Sequence, residues 1–431
     1  MPNIYRTSSR HLGPHRGCLS VGALLACFCV CRILQADESL LPRVDLWTIS
    51  GERISGPLLA IDVRQITLRQ GEQGRSIAPS EIWQVALAPA TSRPPRPQFW
   101  LFLNNGDRWG VSSLKLVDEE LEFQRSSEEP PQRIGIQFVR GIQPLRTGTS
   151  WRTDESEWLQ VANRLAKSDL VVLRNGDQQT GEISGIGDEG LQLTGSLGVQ
   201  ELKWATVSGL LLNPDLAEIP DPAPEGWTVL LRDESWLTVT EIILTQDGLC
   251  HLATIHGIEQ VTPLEDVRWM SHWGDAATPL SRSPIALQQH QPQLGETLEV
   301  TLDRNVLGLP LRSNLAFGKD SNSAVELPAL SPLGIGLASG MTVTWKLDGA
   351  ARQLLCGLSL DATAGEAGQA LVKFKVDNQL SREITLRAGE PLVLETAIDL
   401  TGAQTLAIET EFGENGDACD WINLLTPILV R

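Results

Sequence analysis

The feature that most constrains this chain is one turn that recurs four times before residue 275, as Ser50-Gly51-Glu52, Asn105-Gly106-Asp107, Asn175-Gly176-Asp177 and, in degenerate form, Arg232-Asp233-Glu234. Each lies between short runs rich in Val, Ile, Leu, Thr and Trp. Asn-Gly before an acid favours a tight hairpin, because Gly accepts the positive φ the turn imposes. A closing strand follows each time, entered through Ile82-Trp83, Phe138-Val139, Ala205-Thr206-Val207 or Asp266-Val267-Arg268-Trp269. Gly51 to Ile82 and Gly176 to Val207 are each 31 residues, so the unit is about forty-five residues long. The anchors Gly51, Gly106, Gly176 and Asp233 are 55, 70 and 57 residues apart, which argues against a regular solenoid or propeller.

Units of this form, with best matches in Leu173-Arg174-Asn175-Gly176-Asp177 and Thr180-Gly181-Glu182-Ile183, resemble Sm-like or SH3-like small barrels. Helical periodicity is scarce. The exception is residues 154–166, where Asp154 and Glu157 form a capping box and Trp158, Val161, Ala162 and Leu165 share a face. That segment would link or cover the barrels. The expected fold is mostly β: tandem small β-barrel-like repeats followed by a C-terminal jelly-roll β-sandwich, with mixed β-meanders as the alternative to barrels. The units are repeats at 43–88, 98–146, 168–214 and 226–274, a helix or linker at 151–167, a linker at 275–296 and a sandwich at 297–431. Pro- and Ser-rich stretches at 89–97, 128–131, 214–224 and 275–292 mark loops or hinges.

The first sixteen residues carry Arg6, Arg10 and Arg16 and no acid, and an apolar run follows over 18–34. This reads as a secretory signal peptide over residues 1–36, cleaved near Ala36, and gives a secreted or periplasmic protein. Arg32 interrupts the run, which is shorter than the roughly 20 residues a permanent membrane span needs. Lipidation at Cys27 is a minor alternative. Cleavage removes Cys18, Cys27, Cys29 and Cys31 and leaves Cys250, Cys356 and Cys419. An oxidising compartment permits one disulfide, Cys356 with Cys419 in the last domain, against buried free thiols. Cleavage also leaves 31 basic against 53 acidic residues, a net charge of −22, which excludes nucleic acid and anionic membrane as partners. Thirteen Trp against one Tyr and eight Phe suit either core packing or sugar stacking.

No catalytic constellation is visible. His251, His256, His272 and His290 lack metal-ligand spacing, Leu337-Ala338-Ser339-Gly340 lacks the first glycine of a nucleophile elbow, and no helix pattern follows Gly185-Ile186-Gly187. Carboxylates are too abundant for any pair to indicate glycosidase chemistry. A non-enzyme with no cofactor is expected.

The last domain shows seven or so strands, at 298–302, 341–347, 353–360, 370–376, 382–386, 392–398 and 405–411, a spacing that suits a sandwich. Within it lie Leu302-Asp303-Arg304 with Gly308-Leu309-Pro310-Leu311, then Leu333-Gly334-Ile335-Gly336-Leu337-Ala338-Ser339, Val343-Thr344-Trp345-Lys346-Leu347 and Gly357-Leu358-Ser359-Leu360-Asp361. Val372-Lys373-Phe374-Lys375-Val376-Asp377, Ile398-Asp399-Leu400-Thr401-Gly402-Ala403 and a terminal Asp420-Trp421 follow. In this order they resemble the NPCBM family of carbohydrate-binding modules, galactose-binding-like jelly rolls attached to exported bacterial proteins. Ala338 stands where the family usually has His, and Ala362 follows Asp361 where the family often has a second carboxylate. The resemblance implies a polysaccharide or glycan partner and a structural calcium with Asp361 as candidate ligand. Asp361, Asn378, Asp420, Trp421 and Asn423 are the candidate sugar contacts, against core or turn roles for each. A cell-envelope structural or assembly protein that binds protein partners, its sugar site vestigial, is the alternative.

Overall fold

The computed structural model describes residues 41–88, 96–145, 167–196, 198–293, 295–313, 329–365, 368–390, 393–414, 416 and 419–431. The expected signal segment and the expected amphipathic segment 154–166 lie outside the described residues. Among the described residues the secondary structure is β-strand and single 3-10 turns.

Each repeat folds alike. Repeat 1 runs Arg43–Thr48, Arg53–Asp62, Gln65–Gln70, Gln73–Ile77, a 3-10 turn at Pro79–Glu81 and the closing strand Ile82–Leu87. Repeat 3 follows the same order from Asp169–Leu173 to Val207–Leu211, and repeat 4 from Gly226–Leu231 to Val267–Trp273. Repeat 2 runs from Phe99–Leu103 to Val139–Pro144, and its second strand is split into Arg108–Val111 and Ser113–Val117. In all four the first strand pairs with both the second and the closing strand. The fourth strand has no ladder to the closing strand among the described residues, so the expected barrels are open, bent five-stranded units.

The recurring turn is the common element, held by the same two main-chain hydrogen bonds each time. Thr48, Leu103, Leu173 and Leu231 donate to the carbonyls of Glu52, Asp107, Asp177 and Ser235, while Gly51, Gly106, Gly176 and Glu234 donate back. The left-handed residue is Gly51 (φ 83°), Gly106 (95°) or Gly176 (87°), but in repeat 4 it is Glu234 (67°). The repeat 4 turn therefore aligns on Glu234, one residue after Asp233.

Repeats join through their closing strands, antiparallel. Val85 of repeat 1 faces Met270 of repeat 4, and Ile142 of repeat 2 faces Leu210 of repeat 3. In every case these are the fourth residues of their closing strands, so each pair is related by a local two-fold.

The C-terminal domain is a two-sheet sandwich. One sheet orders Thr301–Leu302, Gly334–Ala338, Trp421–Val430, Gln353–Leu360 and Val393–Asp399, with Ala277–Pro279 also paired to Trp421–Val430. The other orders Ile285–His290, Met341–Lys346, Thr405–Phe412, Gln369–Val376 and Gln379–Arg387. The expected linker 275–296 thus supplies two strands of the sandwich. Alternate residues of each strand face inward: Leu354, Cys356, Leu358 and Leu360 meet Trp345 and Phe374 in one core.

Much of the outer face of the first sheet is covered by the repeats. Leu355, Ile428 and Val430 pack against Trp47, Trp83, Leu230 and Trp269 of repeats 1 and 4. Trp83 Nε1 donates to the Thr426 carbonyl at 3.0 Å across this contact. Nearer the edge, residues 304–306 lie flat on Gly336, where a Cβ would fall 2.4 Å from the Asn305 and Val306 backbone. Only glycine permits that approach.

Candidate functional site

Asp420 lies at one end of the sandwich and is 1% exposed. Its Oδ1 accepts from Gln369 N at 2.9 Å, its Oδ2 from Gly413 N at 3.2 Å, and its carbonyl from Ser339 N at 3.1 Å. One side chain and its own carbonyl thus fasten three loops. Trp421 follows it, half-buried, opposite Ala338 on the neighbouring strand. An imidazole reaches this end: His290 Nδ1 accepts from Leu298 N at 2.8 Å, so its Nε2 carries the proton and donates to the Ser339 carbonyl at 3.2 Å. Both ring nitrogens are thereby engaged by backbone. No sequence signal pointed to His290, because it falls in the segment expected to be a linker.

Asp361 and Asn423 meet, and both are fully buried. Asp361 Oδ1 accepts from Thr363 N at 2.9 Å and from the Thr363 hydroxyl, capping the 3-10 turn Ala362–Ala364. Asp361 Oδ2 accepts from Asn423 Nδ2 at 2.7 Å, and the same amide also donates to the Arg312 carbonyl at 3.1 Å. Asn423 Oδ1 and the hydroxyl of Ser359, which sits opposite it across the strands, have no hydrogen-bond partner among the described residues.

Asn378 does not join them. It is exposed, with φ 66° after Asp377 at 48°, and forms the two-residue hairpin between Gln369–Val376 and Gln379–Arg387. At about 3.3 Å per residue, the strand Gln369–Val376 puts roughly 23 Å between that hairpin and Asp420.

The expected disulfide is absent. Cys356 is a buried free thiol in the core, pushed up to about 12 by burial, and Cys419 is an exposed free thiol. The expected calcium ligand does not fit either, because both Asp361 oxygens already accept hydrogen bonds from the protein. Among the described residues no group of three or more His, Cys, Asp and Glu could hold a metal ion.

Arg312 connects Asp361 and Asn423 to the repeats. Its guanidinium holds both Glu234 oxygens, at 3.2 and 2.6 Å, and Glu234 in turn pairs with Arg108 at 3.7 Å. Arg108 is fully buried, lies 4.3 Å from the Trp100 ring and 4.0 Å from Trp236, and donates to the Glu234 carbonyl at 2.7 Å. The sequence held one sign of this cluster, Glu234 in place of a turn glycine.

Two facing antiparallel sheets in this order define a jelly-roll β-sandwich. Residues 296–429 match the NPCBM/NEW2 domain family. Among solved structures the chain is similar to the CBM51-2 and INT domains of Clostridium perfringens ZmpB in complex with GlcNAc, at 17% identity and a TM-score of 0.31 over 44% of this chain and 37% of that one. A second structure of the CBM51-2 and INT domains of Clostridium perfringens ZmpB gives 17% identity and a TM-score of 0.31 over 46% of this chain and 37% of that one. CBM51 from Clostridium perfringens GH95 in complex with methyl-galactose gives 14% identity and a TM-score of 0.31 over 36% of this chain and 99% of that one. The chain thus covers little more than a third of the length of the first two. No curated protein matches it.

Proposed function

We propose that this is an exported, non-catalytic protein that binds a polysaccharide or glycan through its C-terminal sandwich. The observation that carries this is the family match over residues 296–429, which spans nearly all of a complete two-sheet module. The apolar run at residues 18–34 supports export, and the family's binding role supports the absence of catalysis. Trp421 is the sugar platform in this reading: it is half-buried and fixed by its strand, whereas Asp361, Asp420 and Asn423 are spent on the protein's own loops. A sugar ring would place C–H groups against the indole face. The test is a glycan array with the full mature chain beside Trp421→Ala. Binding to at least one glycan that drops tenfold or more in the variant, which still folds, is expected. No binding by folded wild type would end the proposal.

A second reading has a specific observation behind it. Ala338 replaces the family's usual histidine, and the outer face of the first sheet is occupied by repeats 1 and 4. Both suit a cell-envelope assembly protein whose module has become a structural part. Co-purification with envelope proteins that survives free-sugar competition would favour it.

A further inference from the structure

The local two-fold that joins repeats 2 and 3 is filled by aromatic rings on one side and not on the other. Phe99, four residues before the donor that closes the repeat 2 turn, meets Trp204, which opens the 3-10 turn of repeat 3, edge to face at 5.1 Å. The two-fold carries Phe99 onto Asp169 and Trp204 onto Ile136. Neither of these is aromatic, and both line a cleft of about 750 Å³. That volume lies within the roughly 300–1,000 Å³ of ligand sites. In repeats 1 and 4 the residue equivalent to Asp169 is Val44 or Trp227, both buried. Repeat 3 alone places a carboxylate there.

The elements around the cleft are tied to one another. Asp169 Oδ2 accepts from Ile183 N at 2.7 Å, and its Oδ1 accepts from Asn213 N at 2.8 Å. The Glu119 carbonyl accepts from Ile136 N at 3.0 Å, and Glu218 N donates to the Gln137 carbonyl at 2.8 Å. Leu116, Ile136, Ile183 and Leu212 supply an aliphatic lining, each half-buried at the margin of the repeat core, and Leu216 beside them is 70% exposed. Asp118, Glu119, Glu182 and Glu218 line the same cleft and are exposed. Among the described residues none of these four carboxylates has an ion-pair partner, and no Lys or Arg lines the cleft.

We propose that this cleft binds an extended segment of a partner protein in which Lys or Arg alternates with aliphatic residues. A neutral sugar would leave four carboxylates unpaired, and an acidic segment would be repelled. Among the described residues no group of three or more acidic, His or Cys side chains could hold a metal ion, which removes a divalent cation as occupant. Exposed ion pairs contribute little singly, so a small organic cation gains less than a segment that also covers the aliphatic lining. A preformed cleft keeps the ordering cost of such binding low. The site lies on the repeats, so the inference stands whether or not the sandwich binds a glycan.

The test is an array of short peptides that permute Lys, Arg, Val and Leu, beside a matched array with Asp and Glu in place of the cations, probed with the full mature chain. Preferential binding of basic peptides, weakening as salt is raised, is expected. The double variant Glu119→Lys with Glu182→Lys, at two exposed positions, should weaken the best peptide about tenfold or more. Leu216→Ser should weaken it about threefold. Unchanged affinity in either folded variant would overturn the proposal, as would equal binding of the acidic array or binding to neither. If the double variant does not fold, the Leu216→Ser affinity decides. Spermidine that displaces the peptide with equal affinity would assign the cleft to a small polyamine and refute the partner segment.

Discussion

Replacing Glu234 by glycine sets two opposed effects against each other at one position. The other three repeats have glycine at this left-handed site, and Glu234 holds φ 67° there. Relief of a non-glycine residue in that region contributes about 1 kcal/mol of stability, part of which glycine's freedom in the unfolded chain takes back. Against this, the substitution removes the Glu234 carboxylate from Arg108, which is fully buried, and from Arg312. Removing one partner of a buried ion pair costs about 3–5 kcal/mol, and the low end applies because Arg108 keeps its bond to the residue 234 carbonyl and its two Trp contacts. The net expectation is a loss of about 2 kcal/mol, or roughly 2–3 °C in melting for a cooperative unit of about 390 residues. Calorimetry of wild type, Glu234→Gly and Glu234→Gln reads it directly. Both variants should melt lower, and the Gln variant should keep the strain while losing the charge. A Glu234→Gly protein that melts at or above wild type would show that the carboxylate contributes nothing, and the latch between Arg108 and Arg312 would have to be abandoned.

His256 and His272 are both held down to about 4 by burial, so their neutral forms belong to the folded state. Stability is then complete above their unfolded value near 6.5 and falls as pH drops from there toward 4; a melting temperature flat over that window would contradict this. Gly336→Ala forces a Cβ into the Asn305 and Val306 backbone and should cost about 1–3 kcal/mol in urea unfolding, whereas full stability would mean residues 304–306 move freely. A thiol reagent should titrate Cys419 in the native protein and Cys250 and Cys356 only after denaturation, both of the latter being pushed up to about 12 by burial. A melting point lowered by reductant would restore the disulfide.

The repeats were legible because a turn that needs positive φ writes glycine into the sequence at a fixed offset from a closing strand. The fourth turn was displaced by one residue for the same reason, since Glu234 occupies the glycine position and carries no such mark. Barrel closure was not legible, because alternation along the strands is the same whether or not the fourth strand reaches the closing one. In the sandwich, motif order gave the strands, but it could not say which polar residues are spent internally. Asp361, Asp420 and Asn423 have the residue types of sugar contacts and the hydrogen bonds of structural ones. The strands Ala277–Pro279 and Ile285–His290 were hidden among Pro and Ser, where loop composition masked two sandwich edges.

The tryptophan excess now has a physical account, and it bears on where a ligand can sit. Trp47, Trp83, Trp236 and Trp269 lie in the contact between repeats and sandwich, Trp100 lies in a separate apolar cluster of repeats 2 and 3, and Trp109 and Trp345 fill interiors. Large, nearly rigid rings bury much area at little entropic cost, which is what docking a preformed module demands. Because that docking occupies much of one outer sheet face, a glycan has the loop end beside Trp421 or the opposite sheet to bind. On the opposite sheet Lys373 and Lys375 pair with Glu411 and Glu409, a solvated charged face with no aromatic platform among the described residues. The loop end is therefore the place where recognition and Trp421→Ala should coincide.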